Sequence, residues 1–362
     1  MSESYWSKWR PGILVKDQIK TLFENGTLDG HANDIDNSSV DLHLSSEGWE
    51  MNGSLKLKNN ECFAEVLQSG NFKKRTLHLE DGPETLIPGK TYVFRLQESL
   101  KKLDPGLHLC GMATGKSSIG RLDVLTRLVV DGCDSYDCFE DIDSGLLYVE
   151  VTPITFPVSV REGTSLNQLR LFRGKPELCR LKEAEIPLFG DLIISDRSDK
   201  RDLSLDIMPV PIDNKQVVAF TARESRFLKP QDAIDLSQKR KHDPAKYWKT
   251  CTELESDSLL IQAELFYILR SKERFKLPGD IAVYCQAITE NLGEIRIHYA
   301  GFVHPWFGFE RPDGREGTPL IFEVRGHTVD AFLRNRELMA RVEFYRTSKP
   351  TEFNPDEQSY NT

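Results

Sequence analysis

GLLYVEVTPITFPVSVREGTSLNQLRLFR, Gly145 to Arg173, lies without a gap over TPLIFEVRGHTVDAFLRNRELMARVEFYR, Thr318 to Arg346, at an offset of 173 residues. In that register Glu150 falls on Glu323, Val151 on Val324, Thr155 on Thr328, Arg161 on Arg334 and Arg173 on Arg346. The same offset puts SIGRL (Ser118 to Leu122) over NLGEI (Asn291 to Ile295). A period held that far marks an internal repeat of one structural unit. Two unrelated β-domains with similar alternation are the competing reading.

The repeated stretch consists of short apolar runs punctuated by Gly, Pro, Asp and Asn. TYVFRL, GLLYVEV, FPVSV and NQLRLF are of this kind, at the spacing of a sandwich or small barrel. Ile19 to Gly26 (IKTLFENG) is the best short helix, with helical apolar spacing and a glycine stop. The long amphipathic helices of βαβ crossovers are missing, so an all-β chain with few short helices is expected. A length of 362 residues admits two domains, expected at 1–205 and 206–362. The join is sought between Leu188 and Lys229, where IMPVPIDNK concentrates proline.

Composition narrows the function classes. With 39% hydrophobic and 28% charged residues, the chain has the make-up of a soluble globular protein. Its start, MSESYWSKWRPGILVKDQ, has no apolar core of a signal peptide, and no segment reaches the ~18 apolar residues of a membrane span. The seven cysteines are odd in number and form no Cys-x-x-Cys pair, which fits reduced thiols and a cytoplasmic location. A net charge of −9 disfavours nucleic acid as a partner but not a small anion held by a few aimed groups. The basic segment Ser237 to Lys249 is either a phosphate-contacting strap or a solvated loop.

The sharpest local signal is GMATGKSSIGRLDVLTR, Gly111 to Arg127. It is not a Walker P-loop, which needs Gly where Cys110 stands. Gly115, Lys116, Ser117, Ser118 and Arg121 instead make a workable anion cradle of small residues, hydroxyls and cations. A β-turn whose serines bond their own backbone is the alternative. Downstream, the apolar strand Leu146 to Val151 carries one carboxylate, Glu150, which must be partnered or held for acid–base work.

GKSSIGRL resembles the Ser-Ser-x-x-Arg-Leu motif of dCTP deaminases, and GLLYVEV resembles their strand with the catalytic Glu. IDNSSVDLHL (Ile35 to Leu44) is similar to the family's Ser-Ser-Val-Asp-Leu-x-Leu segment. VSVREGTSLNQLRLFR is similar to its Pro-Gly-x-x-[IL]-x-Q-Leu hairpin, with Glu162 in place of Pro. The matches run in family order over Ile35 to Arg173, and the length resembles the two-domain bacterial form. The resemblance implies tandem dUTPase-like distorted β-barrels of the β-clip type. It implies hydrolytic deamination of dCTP to dUTP and ammonia, supplying the precursor of dTTP. It also implies a homo-oligomer, a trimer or a multiple of it.

By the same resemblance Glu150 is the proton shuttle, with Ser117 and Arg121 orienting the water. Lys116, Ser117, Ser118, Arg121, Asp131 and Gln168 would bind the nucleotide. No tightly bound cofactor or metal is expected, only Mg²⁺ arriving with the triphosphate. Zinc deaminases need His-x-Glu followed by Pro-Cys-x-x-Cys; His78-Leu79-Glu80 supplies the first but nothing the second.

The departures from the family pattern lie in Thr126 to Asp137 (TRLVVDGCDSYD), and in Glu294 and Asn291 standing where Arg121 and Ser118 do in the second repeat. A carboxylate there repels a triphosphate, so the second repeat is expected to have lost nucleotide binding. A dUTP pyrophosphatase or bifunctional enzyme, with Asp131 orienting a water near Tyr136, stays open. So does a nucleotide-binding regulator without turnover.

Overall fold

The computed structural model describes residues 8–353, except 33, 102–105, 143, 198, 200, 225–227, 239–240, 288–294, 299–300 and 311–313. In Gly145–Pro153, the first strand of the repeat, Leu147 to Val151 are all buried, and the strand is paired on both edges. Its neighbours are Tyr92–Leu100 on one side and Val124–Val130 on the other, both antiparallel.

The repeat is a structural one. Gly145–Pro153 and Ser165–Arg173 recur as Thr318–Gly326 and Leu338–Arg346, each displaced by 173 residues at both ends. Thr318–Gly326 likewise lies between a long upstream strand, Phe266–Phe275, and a short one, Ile295–His298. Glu150 and Glu323 therefore occupy the same place, buried in a strand flanked by two antiparallel partners.

The chain divides into two compact units. The first comprises 1–180 with 228–241 and 346–351, and the second 181–227 with 242–345 and 352–362. The first crossing, after Arg180, falls ahead of the division expected at 205 and of the stretch from Leu188 to Lys229. The proline-rich run IMPVPIDNK is instead a hairpin within the second unit. Val210–Ile212 pairs with Lys215–Val217 across Asp213 and Asn214, both at positive φ. Asp and Asn tolerate that conformation, so a tight turn forms where proline density suggested a linker.

In the first unit one sheet runs in the order 124–130, 145–153, 92–100, 40–51, 165–173, 109–115, 138–140. It curls so that strand 109–115, near one end, meets strand 124–130 at the other. A Cβ on Gly115 would sit 2.7 Å from Thr126 Oγ1, so any side chain there would force the threonine to shift. The parallel pairing of Val158–Ser159 with Ile234–Asp235 brings the 228–241 segment into this unit. There Asp235 takes Lys241 Nζ at 3.0 Å and Arg161 at 3.6 Å, which gives part of the basic segment a structural partner.

The helix expected at Ile19 to Gly26 spans Lys16–Glu24. Gln18 Oε1 accepts from Val15 N–H at 3.1 Å, which caps the start earlier than apolar spacing indicates, and Gly26 at positive φ ends it. The second unit buries its own core, including Leu203, Leu269, Phe275, Val283, Val324 and Phe344.

Glu50, on strand 40–51, is buried at 3% exposure among cations. Arg75 Nε lies at 2.8 Å, and Lys74 and Lys90 Nζ each at 3.1 Å. Burial opposes its ionisation, but these cations outweigh burial and hold the carboxyl at about 2. A folded value below the unfolded one adds stability above pH 4.5 that fades as pH falls toward 2. The margin of the wild type over Glu50→Gln in urea denaturation should reach about 3 kcal/mol above pH 5 and shrink steadily on acidification. A margin constant across that range would show that the charge of Glu50 contributes nothing.

Candidate active site

Strand 109–115 delivers the chain into the Lys116–Arg121 turn, which is anchored at both ends. Lys116 N–H donates to Leu166 O at 2.9 Å, and its ammonium pairs with the Asp41 carboxylate. Ser117–Gly120 form one helical turn whose Ile119 and Gly120 are buried. Asp123 then takes positive φ, fully buried, and accepts from Thr155 Oγ1 at 2.5 Å, while Ile154 N–H donates to its carbonyl. A turn fixed in this way leaves Ser117, Ser118 and Arg121 exposed. No side-chain hydrogen bond or ion pair ties them down among the described residues.

Gln168, half-buried, stands opposite Asp41 on one side and Thr114 on the other. Lys116, Asp41 and Gln168 thus share one neighbourhood at the root of the turn. Asp131 is placed differently. It is 9% exposed, its Oδ1 accepts from Phe63 N–H at 2.8 Å at the start of helix Phe63–Ser69, and burial pushes its carboxyl up.

Glu150 is 6% exposed and faces a loop and a turn outside its own sheet. Ser54 Oγ donates to Oε1 at 2.7 Å, Leu55 N–H to Oε2 at 3.0 Å, and Tyr136 OH to Oε2 at 3.3 Å. Arg127, its register partner on strand 124–130, is drawn away to Asp137 Oδ2 at 2.7 Å. Asp137 also accepts from Leu128 N–H at 2.7 Å, yet burial outweighs both and raises its carboxyl. Within one chain no hydrogen bond joins Glu150 to Ser117 or Arg121, among the described residues.

Ser54, Asp41, Arg127 and Asp137 were not singled out from sequence as site residues. Asp41 lies within the IDNSSVDLHL segment and could have been drawn from it; Ser54, in a loop with no motif, could not. Among the described residues no group of three His, Cys, Asp or Glu side chains is arranged to hold a metal. Glu294 and Asn291, the second-repeat counterparts of Arg121 and Ser118, lie outside the described residues.

Residues 10–175 match the family model of the 2'-deoxycytidine 5'-triphosphate deaminase N-terminal domain, and residues 184–359 that of its C-terminal domain. The crystal structure of 2'-deoxycytidine 5'-triphosphate deaminase from Agrobacterium tumefaciens is similar, with a TM-score of 0.85 at 26% identity. That similarity covers 94% of this chain and 97% of the other, so the two distorted β-barrel units are those of a solved relative. No curated protein sequence matches the chain. With both domain models spanning it in order and the fold in agreement, the chain belongs to the two-domain 2'-deoxycytidine 5'-triphosphate deaminase family.

Proposed function

We propose that this chain deaminates dCTP to dUTP and ammonia, with Glu150 as the proton shuttle. The observation that carries the reading is a lone carboxylate, buried on a strand and held by donors in a deaminase-family domain. Water attacks C4 of cytosine as Glu150 takes one of its protons, and Glu150 passes that proton to N3. The remaining hydroxyl proton moves by the same carboxylate to the amino group. The C4–N bond then breaks, ammonia leaves, and the carbonyl of uracil remains.

Ser117 and Arg121, whose side chains have no hydrogen bond or ion pair among the described residues, orient the water and stabilise charge developing on the ring. Ser118 and Lys116, the latter with Asp41 as counter-ion, serve the triphosphate together with Gln168. Asp131, occupied by the Phe63 N–H, is left out of the reaction. Its seven cysteines, all free thiols, suit a reducing cytoplasm.

Incubation with dCTP, dCMP, CTP and dUTP, followed by chromatography, should give dUTP and ammonia in equal amounts from dCTP. Pyrophosphate and dUMP from dUTP would point to the dUTP pyrophosphatase or bifunctional reading instead. Glu150→Gln keeps shape but cannot accept and pass on a proton, so turnover should drop ~10²–10⁴-fold while dCTP binding stays measurable. Glu323→Gln should alter the rate little; the opposite ranking would move the shuttle to the second unit.

The chemistry needs no resident metal, Mg²⁺ entering only with the triphosphate. A zinc-selective chelator should leave the rate intact, and stoichiometric zinc lost together with activity would contradict this. Because no hydrogen bond joins Glu150 to Ser117 or Arg121 among the described residues of one chain, we assign the complete site to neighbouring copies in a homotrimer or a multiple of it. Mixed oligomers of two inactive variants, Glu150→Gln and Arg121→Ala, should regain about a quarter of wild-type activity, since that share of sites draws both intact groups. Failure of mixing to restore any activity would place each site within a single chain.

A further inference from the structure

A buried general base has to be hydrogen-bonded both when it is ionised and when it holds a proton, because an unpaired buried polar group costs ~1–3 kcal/mol in either state. Glu150 is surrounded by two kinds of donor. The Leu55 N–H, 3.0 Å from Oε2, can only donate. The hydroxyls of Ser54 and Tyr136 can donate or accept, and they lie 2.9 Å from each other. Ser54 Oγ at 2.7 Å from Oε1 and Tyr136 OH at 3.3 Å from Oε2 close a ring of hydrogen bonds through the carboxylate.

The protons of that ring can be counted in both states. With Glu150 ionised, Ser54 donates to Oε1, and the Tyr136 proton serves Oε2 or Ser54 Oγ. With a proton on Oε1, Glu150 becomes the donor, and Ser54 turns its own O–H toward Tyr136 while accepting from Glu150. Tyr136 still donates to Oε2. No heavy atom has to move.

We propose that Ser54 and Tyr136 are positioning residues of the deamination, a hydroxyl pair that satisfies Glu150 in both of its protonation states. The proposal rests on the reading of Glu150 as the proton shuttle. The pair comes from two segments laced together independently of Glu150: Asn60 N–H donates to Gly132 O, and Asn59 Nδ2 to Asp134 Oδ2, each at 3.1 Å. Burial, with the charge of Glu150 adding to it, raises the Tyr136 phenol above its ordinary value, so its proton is retained.

Steady-state kinetics with dCTP from pH 5 to 9 on the full chain test the pair, using Ser54→Ala, Ser54→Thr, Tyr136→Phe and Glu150→Gln. Ser54→Ala and Tyr136→Phe should each lower kcat about tenfold with little change in KM, the worth of one hydrogen bond to a charged group. Ser54→Thr, which keeps the hydroxyl, should restore the rate. The acid limb of the Tyr136→Phe pH–rate profile should move to higher pH, because a carboxylate that loses a donor binds its proton more tightly. The double variant Ser54→Ala/Tyr136→Phe should lose less than the product of the single losses, since either change opens the ring.

Unchanged kcat and pH profile in Ser54→Ala and Tyr136→Phe, with Glu150→Gln inactive, would overturn the pair and leave the shuttle standing. Loss of activity in step with melting temperature at an unshifted pH profile would overturn it in favour of a purely structural role. Substantial turnover by Glu150→Gln would instead remove the shuttle reading itself. If Tyr136→Phe does not fold, the contrast of Ser54→Ala with Ser54→Thr decides, equal rates in the two refuting the proposal.

Discussion

A carboxylate buried in the middle of a doubly paired strand cannot be served by the backbone of that strand. The backbone N–H groups around Glu150 are committed to strands 92–100 and 124–130, and its register partner Arg127 bonds Asp137 instead, so the donors to the carboxylate come from elsewhere. Two segments supply them, the loop after strand 40–51 and the turn that follows strand 124–130. The placing of both is accounted for by the same set of contacts. Asp131 holds the start of helix Phe63–Ser69, and Asn59 and Asn60 reach the 132–134 turn. The aromatic core of Trp49, Phe63 and Tyr148 lies close by, with Phe63 and Tyr148 ring centroids 4.7 Å apart. The site is therefore supported from the core outward: packing fixes the helix, the helix fixes the loop, and the loop presents Ser54 and Leu55.

Duplication gave the second unit the same buried glutamate. Glu323 is 6% exposed and sits between strands 266–275 and 295–298, as Glu150 sits between 92–100 and 124–130. The position within the strand is the same in the two units. The registers around the two glutamates differ: Glu150 stands opposite Val93 and Arg127, Glu323 opposite Ile268 and His298, so the 173-residue offset of the repeat strands does not extend to their neighbours.

Sequence made the architecture legible because alternation and period are properties of many residues at once. The gapless register from Gly145 to Arg173 over Thr318 to Arg346 corresponds strand for strand in the structure. Single-residue signals were read less well. Proline density at IMPVPIDNK suggested a linker because proline interrupts periodicity, yet the Asp213–Asn214 turn makes the segment a hairpin. Glu150 stood out as one charge in an apolar run. Ser54 did not, because a serine in an irregular loop is placed only by tertiary contacts such as those of Asn52 with Asn71 and Phe72. Arg127 sits in a stretch that departs from the family pattern, so its proximity to Glu150 followed only from the strand register.

That proximity raises an electrostatic question which Asp137 answers. A guanidinium paired directly with Glu150 would stabilise the ionised carboxylate and make it a poorer base. Arg127 is the register partner of Glu150, yet its Nη1 bonds Asp137. Burial works against the charge on Arg127, and Asp137 more than restores it. Asp137 is held in turn by Leu128 N–H, which donates to its Oδ1 at 2.7 Å. Glu150 is thus left to neutral donors, two of which are hydroxyls whose protons can turn. Neutral donors satisfy an anion without locking it as one, and that is the condition under which a buried carboxylate can accept a proton from water and pass it on.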